Sequence, residues 1–314
     1  MEINRVAVIG AGVMGSGIAA HIANAGVPVL LMDIVPKDAT PDGRSAIAEG
    51  ALARLIKTDP APFMHKRNAR LVTTGNIEDD LDKLADCDWI VEAVIEDPVI
   101  KRALYEKINS HRKTGSVVSS NTSTIPLGVL TEGLPDDFAA DFLVTHFFTP
   151  PRYMRLLEIV QGAKTRGQAV DVIRDFCDRR LGKGVVEAKD TPGFIANRLG
   201  VFWIECAVAE AVEGGLTVEE ADAIMGRPMG IPKTGVFGLL DLVGLDLSRA
   251  VAREMAATLP ETDAYHDVQC GIPLFDKLIA DGYTGRKGKG GFYRLNRAGG
   301  GREKEAIDLN TGGF

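Results

Sequence analysis

The sequence has 314 residues, a length that suggests two domains and allows a sizeable core. Its net charge of −7 argues against nucleic acid as a partner, because duplex binding relies on Lys and Arg to neutralise phosphates. The four cysteines include no Cys-x-x-Cys pair, so they argue against a zinc site and favour a reducing, cytoplasmic setting; they are Cys87, Cys177, Cys206 and Cys270.

The first 33 residues carry the strongest motif in the chain. Residues 5–9, which are apolar after Arg5, lead into a glycine-rich turn, which opens a helix predicted from Met14 to Ala25. In this pattern Gly10 allows a tight turn, Gly12 lets the backbone approach a pyrophosphate, and Gly15 lets the helix pack closely on the sheet. The amino end of the helix stabilises the phosphates through its N–H groups and its dipole. We therefore predict a dinucleotide site that includes Gly10, Gly12, Val13, Met14 and Gly15.

A carboxylate ends the second predicted strand. The apolar run 28–32 is followed by Asp33, 18 residues beyond Gly15, near the spacing at which an acidic residue binds the ribose hydroxyls of NAD. NADP would place a phosphate beside this carboxylate and be repelled, so NAD is the predicted cofactor. Residues 6–32 contain no Asp, Glu, Lys or Arg, as in a membrane span or signal peptide. Five glycines and Pro28 interrupt the run and no basic segment of the signal type accompanies it, which argues against both alternatives.

Strands and helices alternate through the next part of the chain. Helices are predicted at 45–57 and 99–109, and strands at 88–93 and 116–119. This alternation is typical of a doubly wound, mostly parallel α/β sheet (Rossmann) with right-handed crossovers. Ligands bind at the carboxyl ends of such strands. Glu92, Glu96, Lys101 and the polar run 119–124 lie at or just past these ends.

Basic residues occur in two places that suggest phosphate contacts. Arg54 and Lys57 lie on or beside the outer face of the helix predicted at 45–57, where solvated charges are the ordinary interpretation and a phosphate contact is the alternative. The segment 285–293 is rich in glycine and lysine and includes Lys287. A flexible linker and a lid or phosphate contact are both compatible with its composition.

A histidine and a glutamate stand in two neighbouring strand-like runs. The first run, 142–148, contains His146, and the second, 155–160, contains Glu158. Adjacent strands joined by residues 149–152 would set the carboxylate against the imidazole. A histidine among aromatic residues is more often part of a core than a catalyst. Glu158, however, has apolar neighbours on both sides, and a carboxylate in such surroundings requires a partner.

The remaining chain predicts a second, all-α domain. A helix at 168–181 and a strand at 185–188 complete the first domain, and Thr191-Pro192-Gly193 marks a boundary. The predicted units are a Rossmann domain at 1–189, a helical substrate or dimerisation domain at 190–294 and a tail or linker at 295–314. Helices are predicted at 195–213, 218–225, 236–243, 247–258 and 273–281.

Several of these stretches together resemble the 3-hydroxyacyl-CoA dehydrogenases of fatty acid β-oxidation. The resemblance covers about residues 4–294 and rests on the order and spacing of its motifs. Besides the glycine turn with Asp33, these are VEAVIE at 91–96, SNTS at 120–123, HFF at 146–148, DTPGFIANR at 190–198, PMG at 228–230, LDLVGLD at 240–246 and the closing GRK…GFY at 285–293.

The resemblance implies roles for particular residues. His146 matches the base that removes the hydroxyl proton while hydride leaves the carbon, and Glu158 matches the carboxylate that orients this imidazole. Ser123 and Asn197 match the groups that hold the reacting oxygen and nearby substrate atoms. Cofactor contacts are implied for Glu96, Lys101, Asn121 and Thr149, and substrate contacts for Lys57 and Lys287. Acyl-CoA is the implied substrate, with hydride transfer to NAD.

The chain departs from the family pattern in two places. Thr149 stands where the family usually has Asn, so an amide donor is missing there. The segment 231–235 is longer than in short family members, and together with the unfinished tail it indicates the amino-terminal half of a fused dehydrogenase and enoyl-CoA hydratase. A stop codon directly after Phe314 in the natural reading frame would count against this hypothesis.

Two other functions are compatible with the same residues. One keeps the fold but takes a free hydroxy acid, such as L-gulonate or L-carnitine, as substrate. The other is a non-catalytic protein that retains the fold, like the lens crystallin relative of this family. The apolar positions of the helical domain also predict a covered face, either in a homodimer or against a hydratase domain.

Overall fold

The computed structural model describes residues 1–231, 233–269, 272–296 and 303–314, so the predictions for Pro232 and Cys270 lie outside the described residues. The chain divides into two compact units, Met1–Phe194 and Ile195–Phe314. Cys87, Cys177 and Cys206 are free thiols. Within the described ranges, no helix is both long and apolar enough to cross a membrane.

The amino-terminal unit is built on an eight-stranded sheet in the order β3-β2-β1-β4-β5-β6-β7-β8. Every neighbouring pair is parallel except β6 with β7. The strands are β1 (Val6–Ile9), β2 (Val29–Asp33), β3 (Val72–Asn76), β4 (Trp89–Glu92), β5 (Val117–Ser120), β6 (Phe142–Phe147), β7 (Leu156–Gln161) and β8 (Gly184–Ala188). The helices are α1 (Val13–Asn24), α2 (Ala46–Leu55), α3 (Pro98–His111), α4 (Leu127–Thr131), α5 (Asp136–Asp141) and α6 (Gly167–Asp175). The predicted Rossmann sheet is confirmed.

Apolar side chains cover both faces of this sheet. Val6 and Val8 of β1 join the core on one face, whereas Ala7 and Ile9 join the core on the other. Because successive strand residues point to opposite faces, a strand buried on both sides requires an unbroken apolar run, as the sequence has at the start of the chain. The helix predicted to reach Leu181 is shorter as an α-helix, because it ends at Asp175. A short π-helical turn, Phe176–Arg180, follows it.

The carboxy-terminal unit is mainly helical. Its helices are α7 (Ala196–Glu213), α8 (Val218–Ile224), α9 (Phe237–Val243), α10 (Leu245–Thr258), α11 (Tyr265–Val268) and α12 (Pro273–Ala280). Thr217 and Glu220 form a capping box that fixes the start of α8. The structure adds an antiparallel hairpin of β9 (Tyr293–Asn296) and β10 (Glu303–Ala306). Ile307 and Leu309, which follow it, are buried in the core of this unit, although the sequence suggested a tail here.

Candidate active site

The glycine turn after β1 has the backbone geometry that its residues predict. Gly10 has φ +104°, and a Cβ there would lie 2.4 Å from the carbonyl oxygen of Ala93. A Cβ on Gly15 would lie 1.8 Å from the carbonyl oxygen of Gly10, so only glycine fits both positions. A Cβ on Gly12, in contrast, would meet no atom within 4 Å. The space over Gly12 is therefore open at the amino end of α1, as a pyrophosphate contact requires.

The surroundings of α1 and Asp33 also suit a dinucleotide. No acidic residue lies in the first turn of α1, Val13 is 80% exposed, and Met14 packs partly against the core. Asp33 ends β2, and its carboxylate accepts hydrogen bonds from the backbone N–H groups of Ala11 (2.5 Å) and Ile34 (2.7 Å). These bonds hold the carboxylate beside the glycine turn. The residues present thus fit a dinucleotide with its phosphates at α1 and a ribose at Asp33.

His146 and Glu158 form a buried pair across the antiparallel strands β6 and β7. They are directly opposite in the register, and Nδ1 of His146 lies 2.7 Å from Oε2 of Glu158. His146 is 5% exposed and Glu158 is 1% exposed. The imidazole also contacts the rings of Phe148 and Phe194, with centroids 4.4 and 5.6 Å away. With Nδ1 bound to the carboxylate, Nε2 is the ring nitrogen that can take a proton from a ligand.

The loop after β5 lies beside this pair. β5 and β6 are neighbouring parallel strands, with Ser120 opposite Val144. The side-chain oxygen of Asn121 accepts a hydrogen bond from the backbone N–H of Phe147, at 2.9 Å. This bond ties the loop to the residue next to His146. Ser123, two residues further on and half-buried, therefore follows the strand end that adjoins His146.

Glu96 holds this loop from the side of β4. Its Oε1 accepts hydrogen bonds from the Thr122 hydroxyl (2.5 Å) and from the backbone N–H groups of Ser123 (3.0 Å) and Thr124 (3.3 Å). Partial burial raises the pKa of Glu96, but the Lys101 ammonium and these hydrogen bonds outweigh it and hold the pKa below its ordinary value. Glu96 is therefore a carboxylate at neutral pH, and its side chain is 37% exposed.

Lys101 is more deeply buried than its predicted cofactor contact suggested. It is 1% exposed, and its ammonium lies 2.7 Å from Oε1 of Glu92 and 3.2 Å from Oε2 of Glu96. The observed contacts of Lys101 are thus with two carboxylates. A direct contact between Lys101 and the cofactor stays a prediction.

A pocket of about 420 Å³ opens next to the glycine turn. Its wall on one side is the start of α1, including Gly12 and Ser16, and on the other the end of α2 with Arg54 and Thr58. The turn Thr149–Arg152 closes it. Arg152 donates to the backbone oxygen of Ala61, and Arg54 is exposed. The pocket therefore combines an apolar lining with two guanidinium groups.

Arg152 is not among the site residues that the sequence predicts, and a phosphate contact is only the alternative interpretation of Arg54. Lys57, for which the family resemblance implies a substrate contact, is exposed two residues beyond the end of α2, whereas Arg54 and Thr58 line the pocket. Helical periodicity gives a sequence signal for Arg54, because Arg54 lies one helical turn before Thr58, which also lines the pocket. Arg152 carries no comparable signal, because its place depends on how residues 148–155 fold back.

Two predicted site residues belong to the carboxy-terminal unit. Asn197 is the second residue of α7 and is half-buried. Lys287 forms an ion pair with Asp246, 2.7 Å away, and its side chain is 54% exposed. Thr149, in the amino-terminal unit, is exposed and lines the pocket. Roles for these three residues stay predictions.

A Rossmann sheet with a dinucleotide turn and a buried histidine–carboxylate pair defines a nicotinamide-dependent oxidoreductase architecture. Comparison with known proteins identifies the family within this class. Residues 5–191 match the family model described as "3-hydroxyacyl-CoA dehydrogenase, NAD binding domain", and residues 193–295 match that of the C-terminal domain. The chain belongs to the 3-hydroxyacyl-CoA dehydrogenase family, as the sequence motifs predicted, and its amino-terminal unit is an NAD-binding domain.

Individual relatives agree with this family. A probable 3-hydroxyacyl-CoA dehydrogenase of Deinococcus radiodurans is 43% identical, over 95% of this chain and 84% of that protein. A putative fatty acid oxidation complex trifunctional enzyme of Rickettsia felis is also 43% identical, over 98% of this chain but 43% of that protein. The crystal structure of FadB2 from M. tuberculosis superimposes with a TM-score of 0.77 at 30% identity, covering 94% of this chain and all of that one. The chain thus spans less than half the length of the Rickettsia relative.

Proposed function

We propose that this chain oxidises L-3-hydroxyacyl-CoA to 3-ketoacyl-CoA with hydride transfer to NAD, as a step of fatty acid oxidation. The observation that carries the proposal is the His146–Glu158 pair, buried and hydrogen-bonded in the same unit as the dinucleotide turn. When bound, the nicotinamide ring accepts the hydride. The chain must then supply a base for the hydroxyl proton, and His146 is that base.

Glu158 makes the imidazole suitable for this role. Its carboxylate accepts the Nδ1–H hydrogen bond, which fixes the tautomer that leaves Nε2 as the acceptor. The same carboxylate stabilises the imidazolium that forms once the proton has moved. Because Glu158 is 1% exposed, water does not weaken this interaction. Ser123 and Asn197 are proposed to hold the reacting oxygen.

The pocket beside α1 also suits a CoA ester as substrate. CoA combines an apolar pantetheine arm with phosphates, and the pocket combines an apolar lining with Arg54 and Arg152. Guanidinium groups bind phosphates through paired N–H donors. Contacts of Lys57 and Lys287 with substrate belong to the same proposal.

The partner and setting of the chain are proposed on other grounds. The name of the Rickettsia relative, a trifunctional enzyme more than twice as long, supports a hydratase as a fused or associated partner. A homodimer through the helical unit is the alternative, and sedimentation of the purified chain separates them. Cytoplasmic location stays a prediction, which fractionation of cells expressing the full-length protein would test.

A side-by-side assay tests the proposed activity. NADH formation is measured with L-3-hydroxybutyryl-CoA, with longer L-3-hydroxyacyl-CoA esters, and with L-gulonate and L-carnitine, using NAD and NADP in parallel. We expect turnover only with the CoA esters and a preference for NAD. Turnover of a free acid in preference to the esters would replace the proposed substrate. NAD binding without any turnover would support a non-catalytic role.

A further inference from the structure

A fully buried carboxylate, Glu92, connects three segments of the amino-terminal unit. It is the last residue of β4 and 0% exposed. Its Oε1 accepts hydrogen bonds from the Lys101 ammonium and the Val94 backbone N–H, both at 2.7 Å. Its Oε2 accepts hydrogen bonds from the hydroxyls of Tyr105 (2.5 Å) and Ser120 (2.7 Å). Glu92 thus joins the turn after β4, helix α3 and the end of β5.

The partners of Glu92 lead directly to groups that face the site. Lys101 is shared with Glu96, which in turn binds the backbone of Ser123. The Ser120 hydroxyl accepts a hydrogen bond from the backbone N–H of Thr122, at 3.1 Å. Two of the four partners of Glu92, Lys101 and Ser120, therefore lead to Glu96 or to the loop 121–124. Glu92 itself is covered on all sides.

The charges of this cluster explain why two glutamates share one lysine. Glu92 neutralises the buried Lys101 ammonium, so the exposed carboxylate of Glu96 keeps its charge and its bonds to the loop. Without the Glu92 carboxylate, the ammonium would pair with Glu96 alone, since a buried charge requires a close counter-charge. Glu96 would then be drawn away from the N–H groups of Ser123 and Thr124.

We propose that Glu92 is a positioning residue, which acts through Lys101 and Ser120 to hold Glu96 and the loop 121–124 in the geometry that binds NAD. This inference rests on the proposed function, in which Glu96, Asn121 and Ser123 serve the cofactor and the substrate. In this role the Lys101 ammonium links Glu92 to Glu96, in addition to its predicted contact with the cofactor.

The charge variants test this role most strongly. In Glu92→Gln, NADH should bind about tenfold more weakly and kcat/KM should fall at least as much, as for losses of supporting residues elsewhere. Removing both charges, in Glu92→Gln with Lys101→Met, leaves Glu96 free to bind the loop. With Lys101→Met already in place, Glu92→Gln should therefore weaken NADH binding less than it does in the wild-type background. An equal or larger loss in the Lys101→Met background would overturn the proposal, as would an unchanged Kd for NADH in the single variant.

Two neighbouring serines give a matched test that keeps every charge. Ser120 bonds Glu92, whereas Ser119, on the other face of β5, bonds Trp89 and Thr145; both are 0% exposed. We expect Ser120→Ala to weaken NADH binding about threefold and Ser119→Ala to leave it unchanged, with similar falls in Tm for both. Equal Kd values for the two variants would show that the cluster has a structural role only. If Glu92→Gln fails to fold, the comparison of Ser120→Ala with Ser119→Ala still tests the proposal.

The NADH titration separates this inference from the proposed function. It requires no substrate, so it reports on Glu92 even if the wild-type chain turns over no acyl-CoA ester. Absence of turnover by the wild-type chain would contradict the proposed function alone. A normal Kd for NADH in Glu92→Gln would contradict the inference alone.

Discussion

The candidate sites on the two halves of the amino-terminal sheet differ in composition: one is formed mainly by backbone groups and the other by side chains. On the side of β1 and β2, the phosphate-binding part of the candidate dinucleotide site is made of backbone: three glycines and the N–H groups that open α1. On the side of β6 and β7, the site is made of two side chains that meet because an antiparallel register places them opposite each other. A backbone site tolerates few residue types at its glycines, whereas a side-chain pair depends on single functional groups. Variants should therefore separate cofactor binding from chemistry.

The largest effect is expected from His146→Gln. Glutamine cannot act as a base near neutral pH, so kcat for L-3-hydroxybutyryl-CoA should fall by about 10³-fold or more. The Kd for NADH should stay within about twofold of the wild type, because the dinucleotide turn is untouched. Steady-state kinetics and fluorescence titration measure the two effects. Retention of turnover would show that His146 is not the base.

Glu158→Gln should reduce kcat by about 10²-fold, because an amide cannot stabilise the imidazolium. A control lies one strand away: Glu187 on β8 has a side chain that is 52% exposed and pairs with Arg174. Glu187→Gln should leave kcat unchanged. Equal kcat values for the two variants would remove Glu158 from the mechanism.

In the glycine turn after β1, Gly12→Ala should affect cofactor binding, whereas Gly15→Ala should affect stability. A methyl group on Gly12 meets no protein atom, so the variant should fold normally but bind NADH about tenfold more weakly. A methyl group on Gly15 overlaps the Gly10 oxygen, so the free energy of unfolding should fall by about 3 kcal/mol. Denaturation and NADH titration of both variants check this. Normal NADH binding by Gly12→Ala would contradict the placement of the phosphates.

The smallest expected effect concerns Lys183, which supports the turn between β6 and β7. Its buried ammonium donates to the backbone oxygens of Pro151 and Met154 and lies 5.5 Å from the centre of the Phe147 ring. Burial lowers the pKa of Lys183 from 10.5 to about 8. Between these values the unfolded chain holds a proton that the folded chain has lost, so the free energy of unfolding should rise with pH there, by up to about 3 kcal/mol.

Chemical denaturation at about pH 7.5 and about pH 9.5 tests this effect against a variant without the amine, since the pKa of Lys183 lies between these values. The wild type should gain stability relative to Lys183→Met at the higher pH. A constant difference between the two proteins would show that Lys183 does not lose its proton in this range.

Much of the backbone site could be predicted from the sequence, because a required glycine is itself a sequence signal. The position of Glu158 could be predicted in part, since a carboxylate among apolar residues needs a partner; the register that meets His146 is a property of the turn 148–155. The burial of Lys101 against two carboxylates could not be predicted, because nothing in its sequence neighbours tells which way a lysine in the first turn of α3 points. β10 was missed because its residues, Glu303–Ala306, lack apolar alternation.

Transfer of a labelled hydride tests the central claim most directly. L-3-hydroxybutyryl-CoA with deuterium at C3 is incubated with NAD and the wild-type chain, and the NADH formed is analysed by mass spectrometry. The proposed reaction predicts one deuterium in each NADH, slower turnover than with unlabelled substrate, and turnover by His146→Gln that is slower by about 10³-fold or more. NADH without the label, or no NADH from this ester, would contradict the assignment.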